Sequence, residues 1–195
     1  MKILTTTVGL SVAQVQPFIS FVQGHDVYAI CNNSAMEDYL KDEGVTLLKD
    51  QGTEYLPHVR KYLAFKEALR GTYEPVILAD CGLLLNIDDS FMTDNINVYR
   101  TGERLNMAVE VCDFLIETGH YYDEDLISHD LITGYLSEFV TLLWESLQDL
   151  PKDSDHSQAL CNHYVYGGRV TATLNDWPEG VTYVKTRKGY RTNLG

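Results

Sequence analysis

The chain has 195 residues with 45% hydrophobic content, enough to bury one core and most simply organised as one domain. Lys and Arg number 15 against 28 Asp and Glu, and the resulting net charge of −13 sets the average surface against phosphate backbones and nucleic-acid partners. No apolar run reaches the ~20 residues of a membrane span, and the start "MKILTTTVGL" lacks a signal-peptide pattern.

In chain order, "KILTTTV" reads as a first strand and "SVAQVQPFISFVQ" as a helix capped by Ser11. "DVYAIC" is a second strand, and "SAMEDYLKDEG" a helix with Ser34 as N-cap and Gly44 as stop. "VTLLK" makes a third strand. "PHVRKYLAFKEALRG" is a strong helix, with Pro57 in its first turn and Gly71 after its end. "PVILAD" is a fourth strand whose unbroken apolar run fits a sheet covered on both faces. Strands and helices alternating at this spacing predict a parallel, doubly wound α/β sheet.

After residue 91 the alternation ends. "RLNMAVEVCDF" reads as another strand, and the acidic "ETGHYYDEDLISHD" as a loop. "LITGY" is a short strand feeding the helix "SEFVTLLWESLQDL". "SDHSQALCNHYVY" is a second late helix, capped by Asp153 or Ser154, and "RVTATL" and "GVTYVK" close the chain as strands. The expected organisation is one domain over 1–195, with a nucleotide-binding half (1–91) and a mixed acceptor half (92–195).

Four cysteines (Cys31, Cys81, Cys112, Cys161) lie far apart with no C-x-x-C pair, which suits inert core thiols and a reducing cytoplasm. The tail "VKTRKGYRTNLG" carries Lys185, Arg187, Lys188 and Arg191 with no acid. By itself such a tail is a solvated terminus. His156 and His163 lack the i, i+4 spacing of a zinc pair and stay unassigned.

The chemistry centres on "EPVILADCGLLLNIDDSF", where Asp80 ends the fourth strand. Ligands of open α/β sheets sit at the carboxyl ends of strands. A carboxylate there holds Mg²⁺ or Mn²⁺ against a diphosphate, or caps the turn that follows. Arg60, Lys61 and Lys66 share the preceding helix. Arg60 lies nearest the crevice and suits bidentate contact with a diphosphate or sugar, whereas Lys61 is expected on a solvated face. Glu110, inside an apolar strand, is expected to face the cleft or pair with a cation.

The basic helix "RKYLAFKEAL" before "PVILADCGLLLNIDDSF", the strand "NMAVEV", the strand–Gly–helix "ITGYLSEFVTLLWESL" and the helix "DSDHSQALCNHYV" occur in an order that resembles nucleotide-sugar glycosyltransferases of the GT-A fold. The procollagen galactosyltransferases and the glycosyltransferase domains of lysyl hydroxylases are similar in element order. The resemblance implies a mostly parallel, Rossmann-type sheet with a mixed C-terminal half. It also implies transfer of a sugar from a nucleotide-sugar, most readily a UDP-sugar, to an unidentified acceptor hydroxyl. Carried over residue by residue, it places the nucleoside at the end of the first strand (Thr5, Thr6, Thr7, Gly9) and the donor phosphates near Arg60, Lys66 and Asp80. It offers Asp155 as catalytic base and Asp80 as the metal ligand for Mn²⁺ or Mg²⁺. The family's second acid falls on Gly82 or Leu83, and Asn175 stands where a late acid is expected. Lys185, Arg187 and Lys188 are the cations that would then neutralise the diphosphate. The alternative is a non-catalytic GT-A-like binding protein that has lost the metal site.

Overall fold

The computed structural model describes residues 1–91, 93–105, 124–152 and 156–183. The first half alternates as expected: β1 (Lys2–Thr6), α1 (Val12–Phe21), β2 (Asp26–Cys31), α2 (Ser34–Asp42), β3 (Thr46–Lys49), α3 (Pro57–Leu69) and β4 (Val76–Ala79). A short β5 (Leu83–Leu85) and a 3-10 turn (Asp89–Phe91) follow. The second half holds β6 (Ile96–Arg104), β7 (Asp125–Gly134), α4 (Ser137–Gln148), α5 (Ser157–Tyr166), β8 (Ala172–Asn175) and β9 (Val181–Tyr183).

Among the described residues, seven strands form one sheet in the order β3-β2-β1-β4-β7-β6-β8, while β5 and β9 form a separate antiparallel pair. β1 is parallel to β2 and β4, β2 to β3, and β6 to β8. β7 alone runs against its neighbours, β4 on one side and β6 on the other. The result is a mostly parallel, doubly wound sheet with a mixed second half.

Alternation along β1 and β4 divides the core. Leu4, Val76 and Leu78 face α3, α4 and α5, packing with Tyr62, Phe65, Phe139 and Leu160. Ile3, Ile77 and Ala79 face α1, α2 and the small β5–β9 sheet, packing with Phe18, Leu40, Leu83 and Val181. Period-2 side chains on strands covered by two helical layers account for the unbroken apolar run at 76–79.

Local signals are close to expectation at most ends. The Ser11 backbone N–H donates to Gln14 Oε1 at 2.9 Å, closing the start of α1. Gly44 and Gly71 follow α2 and α3 with φ of 75° and 73°. The cap of α2 is Asn33 rather than Ser34: its Oδ1 accepts from Met36 N–H at 2.9 Å. Asn is as good an N-cap as Ser, and the helix starts one residue earlier than expected.

The second half departs further. β6 lies upstream of the expected strand, which begins at Arg104 and runs beyond residue 105 outside the described residues, Glu110 included. Residues 125–130, expected as the end of a loop, are the first half of β7. That strand is buried along nearly its whole length, and its polar side chains are tolerated there because neighbouring elements bond them. α5 begins at Ser157 with His156 as N-cap; Asp153 and Ser154 lie outside the described residues.

Candidate functional site

Parallel pairing brings the carboxyl ends of β1 and β4 together, and the antiparallel β7 delivers its middle to the same edge. Asp80 follows β4, and its N–H donates to the Asp130 carbonyl of β7 at 2.9 Å. Asp80 Oδ1 accepts from Gly82 N–H at 2.7 Å, so this carboxylate does cap the turn that follows the strand. It also lines a hollow with Thr6, Lys61, Tyr62 and His129. That hollow encloses about 10 Å³, room for one water-sized group such as a single phosphate oxygen.

Lys61 corrects the expectation of a solvated face. It is only 7% exposed and lies on α3 beside the buried Tyr62, with its ammonium 5.2 Å from that ring's centroid. Among the described residues no carboxylate lies within ion-pair distance of it.

Arg60, one residue earlier, points elsewhere. Its Nε and Nη2 donate to the two oxygens of Asp50, each at 2.7 Å, and Nη1 donates to the Tyr55 carbonyl at 3.1 Å. Both side chains are about nine-tenths buried, which makes the pair a fixed bidentate clamp between β3 and α3. Lys66 faces α4, 3.9 Å from Glu145, and is not brought to the hollow.

The threonines divide in the same way. Only Thr6 reaches the hollow. Thr5 is bonded to Cys81 at 3.1 Å, and Thr7 Oγ1 donates to the Ile30 carbonyl at 2.9 Å; both are fully buried. Gly9, with φ of 78°, makes the turn after β1. Asn175 donates its amide to Asn97 Oδ1 at 3.1 Å, across to β6. Asp155, Lys185, Arg187, Lys188 and Arg191 lie outside the described residues.

A polar network that the sequence does not announce borders the hollow. His129 Nδ1 is 2.8 Å from Ser157 Oγ, and its Nε2 is 3.3 Å from Asp130 Oδ1. The Tyr183 hydroxyl donates to Asp130 Oδ2 at 2.8 Å. These contacts tie β7 to the start of α5 and to the end of β9, fixing the ring and the carboxylate.

The described residues do not make a dedicated divalent-cation site. Gly82 and Leu83 offer no ligand side chain, and one oxygen of Asp80 serves the turn. Asp130 is engaged by His129 and Tyr183. Among the described residues no three His, Cys, Asp or Glu side chains gather for a metal ion.

No family model and no curated protein matches the sequence. Solved structures do. CTP:phosphocholine cytidylyltransferase (LicC) of Streptococcus pneumoniae superposes with a TM-score of 0.59 at 13% identity, over 96% of this chain and 94% of that one. The galactosyltransferase LgtC gives 0.52 at 11% identity, over 90% and 73%. The glycosyltransferase GlyE of Streptococcus pneumoniae gives 0.51 at 10%, over 91% and 45%. The fold is GT-A-like. At such identities the likeness carries the fold alone, a fold shared here by glycosyl- and nucleotidyltransferases. Among the described residues no helix is long and apolar enough to cross a membrane.

Proposed function

We propose that the chain is a glycosyltransferase that takes a nucleotide-sugar, most readily a UDP-sugar, at the carboxyl edge of β1 and β4 and passes the sugar to an acceptor hydroxyl. The observation that carries this reading is Lys61, an ammonium held 7% exposed beside Thr6 and Asp80 with no carboxylate partner among the described residues. Burying an unpaired charge is expensive. A diphosphate oxygen seated in the hollow would supply the missing counter-charge. In the reaction the bond from the anomeric carbon to the donor phosphate breaks with its electron pair, and the acceptor oxygen forms the new bond. Lys61 offsets the charge that gathers on the departing diphosphate. Asp155 is the proposed acceptor of the hydroxyl proton.

One observation favours a second reading, nucleotidyl transfer from a nucleoside triphosphate. The cytidylyltransferase is matched over 94% of its own length, against 73% and 45% for the two glycosyltransferases. Incubation with UDP-sugars and, separately, with nucleoside triphosphates plus phosphorylated alcohols tests both. Release of nucleoside diphosphate supports the first reading and release of inorganic diphosphate the second. Release of neither leaves a binding protein of this fold. Lys61→Met should cut nucleoside diphosphate affinity about tenfold or more, since a charge-assisted contact is worth roughly 1.5–3 kcal/mol. Its thermal stability should hold or rise, because an uncompensated charge leaves the core. Unchanged affinity in a folded Lys61→Met protein would remove the basis of the proposal.

A further inference from the structure

Of the three threonines the sequence suggests at the end of β1, Thr5 and Thr7 are fully buried and bonded to Cys81 and to the Ile30 carbonyl, which leaves Thr6 alone at the hollow. Two strands away, at the carboxyl ends of β2 and β3, a concavity of about 510 Å³ opens beside the first turns of α2. Its size falls within the range of small-molecule sites, whereas the hollow at Lys61 admits only a single water-sized group. Leu47, Leu48 and Cys31 give it an apolar lining, Glu37 and Asp50 add carboxylates, and Lys49 adds an ammonium. The two carboxylates suit a ligand that brings donors: hydroxyls or ring N–H groups on a flat, partly apolar body. Asp50 is the fixed member. The Arg60 clamp engages both its oxygens and holds its orientation, and each carboxylate oxygen has a second lone pair for a ligand.

Resting on the donor reading above, the geometry points to this concavity as the nucleoside subsite, with Asp50 accepting from the ribose hydroxyls or base N–H groups and Arg60 as its positioning residue. Neighbouring strands lie about 4.8 Å apart, so the subsite and the Lys61 hollow are separated by roughly 10 Å across the sheet edge. That is the order of the distance a nucleoside diphosphate must bridge between base and terminal phosphate. Arg60 and Lys61, consecutive on α3, thus serve the two ends of one ligand: Arg60 through Asp50 at the nucleoside, Lys61 directly at the phosphates. Burial, and then the charge of Glu37 with a smaller share from Asp50, push the Cys31 thiol up, in keeping with both carboxylates facing this space.

Calorimetry separates the two ends, using uridine, cytidine, guanosine and adenosine diphosphates alongside inorganic diphosphate. Thr53 is exposed on the rim, so Thr53→Trp fills the concavity without touching the core. It should weaken the preferred nucleoside diphosphate tenfold or more and leave inorganic diphosphate unchanged. Asp50→Asn should do the same, and Lys61→Met should weaken both ligands. If Asp50→Asn fails to fold, Thr53→Trp carries the test alone. Wild-type affinity in the Thr53→Trp variant overturns the subsite and leaves the donor reading standing. Binding of inorganic diphosphate with no preference for any nucleoside form also overturns the subsite. Binding of neither ligand overturns the donor reading, and the subsite with it.

Discussion

Lys61 and Cys161 share one region of the core, and the ammonium of the first acts on the thiol of the second. Burial pushes the Cys161 thiol up to about 12, with the Lys61 ammonium pulling it partly back. The thiol therefore stays protonated in the folded chain well above the pH at which an unfolded chain, near 9, loses its proton. The unfolded state then binds fewer protons than the folded state between about 9 and 12, so stability falls as pH rises through that window. This one group contributes a slope of up to about 1.4 kcal/mol per pH unit. Urea midpoints at pH 8, 9.5 and 10.5 should show a steep decline that Cys161→Ala makes shallower; equal slopes in both proteins would refute it. At neutral pH the same thiol should resist alkylation until the chain unfolds. The place of Lys61 was partly legible in the sequence. It stands four residues before Phe65 and next to Tyr62, both on the apolar stripe of α3, which is where a helical period puts a buried neighbour. Its charge argued the other way, and charge is the weaker guide on the buried side of a helix. Arg60 drew attention because it carries a guanidinium in the first turns of α3, yet its partner Asp50 lies ten residues back in a loop, and no local pattern shows that meeting.

At the scale of elements, the first half was readable because each strand and helix carries its own stop. Gly44, Gly71 and the unbroken apolar run of β4 are local signals. The first half of β7 was not readable, since "DLISHDLITG" places Ser128, His129 and Asp130 inside a buried strand. His129 and Asp130 are bonded by Ser157 and Tyr183, 28 and 53 residues further along, and a window of ten residues holds no trace of either. Where β7 ends, the backbone fixes the residue type. Gly134 has φ of +117°, and a Cβ there would lie 2.2 Å from the Asn95 carbonyl oxygen. That obstacle is backbone of the segment entering β6, so relief requires the β6–β7 pairing itself to shift. Gly134→Ala should therefore cost at least about 1–3 kcal/mol, read as a fall in Tm of several degrees for a chain of this length. Gly71→Ala is the comparison: its φ of +73° is also positive, but it sits at an open helix end, where a Cβ meets nothing within 4 Å. It should lose less. Equal losses would show that conformational strain alone, and not the close approach at Asn95, sets the cost.

Over the whole molecule, the charge of −13 opposes the ligand that the site is proposed to take, so a diphosphate must find its cations locally. Lys61 is the first we propose. The second proposed source is the acid-free tail, which begins after Tyr183 and, from 184 to 195, lies outside the described residues. Tyr183 ends β9 and donates to Asp130, whose carbonyl accepts from Asp80 N–H, and β9 pairs with β5 just after Asp80. Lys185 follows Tyr183 by two residues, at most about 7 Å of chain. Arg187, Lys188 and Arg191 come within the next six residues. We therefore expect the tail to contribute to binding the donor diphosphate. Deleting residues 186–195 should weaken nucleoside diphosphate binding tenfold or more, about 1.4 kcal/mol. The deletion removes three cations and no acid, taking the net charge from −13 to −16, so an effect of bulk charge must be told apart from a local one. Replacing the exposed Arg70, Lys152 and Arg169 by Gln reaches the same −16 with the tail intact. At 0.15 M salt, where exposed charges are screened beyond about 8 Å, that triple variant should bind as the wild type does while the truncated chain does not. EDTA should do less harm than the deletion, since the described residues gather no metal-ligand cluster of their own. If the two variants weaken equally, the tail acts only through net charge. If EDTA abolishes binding and the truncated chain binds normally, the counter-charge comes from a cation held at Asp80, and the tail is a solvated terminus.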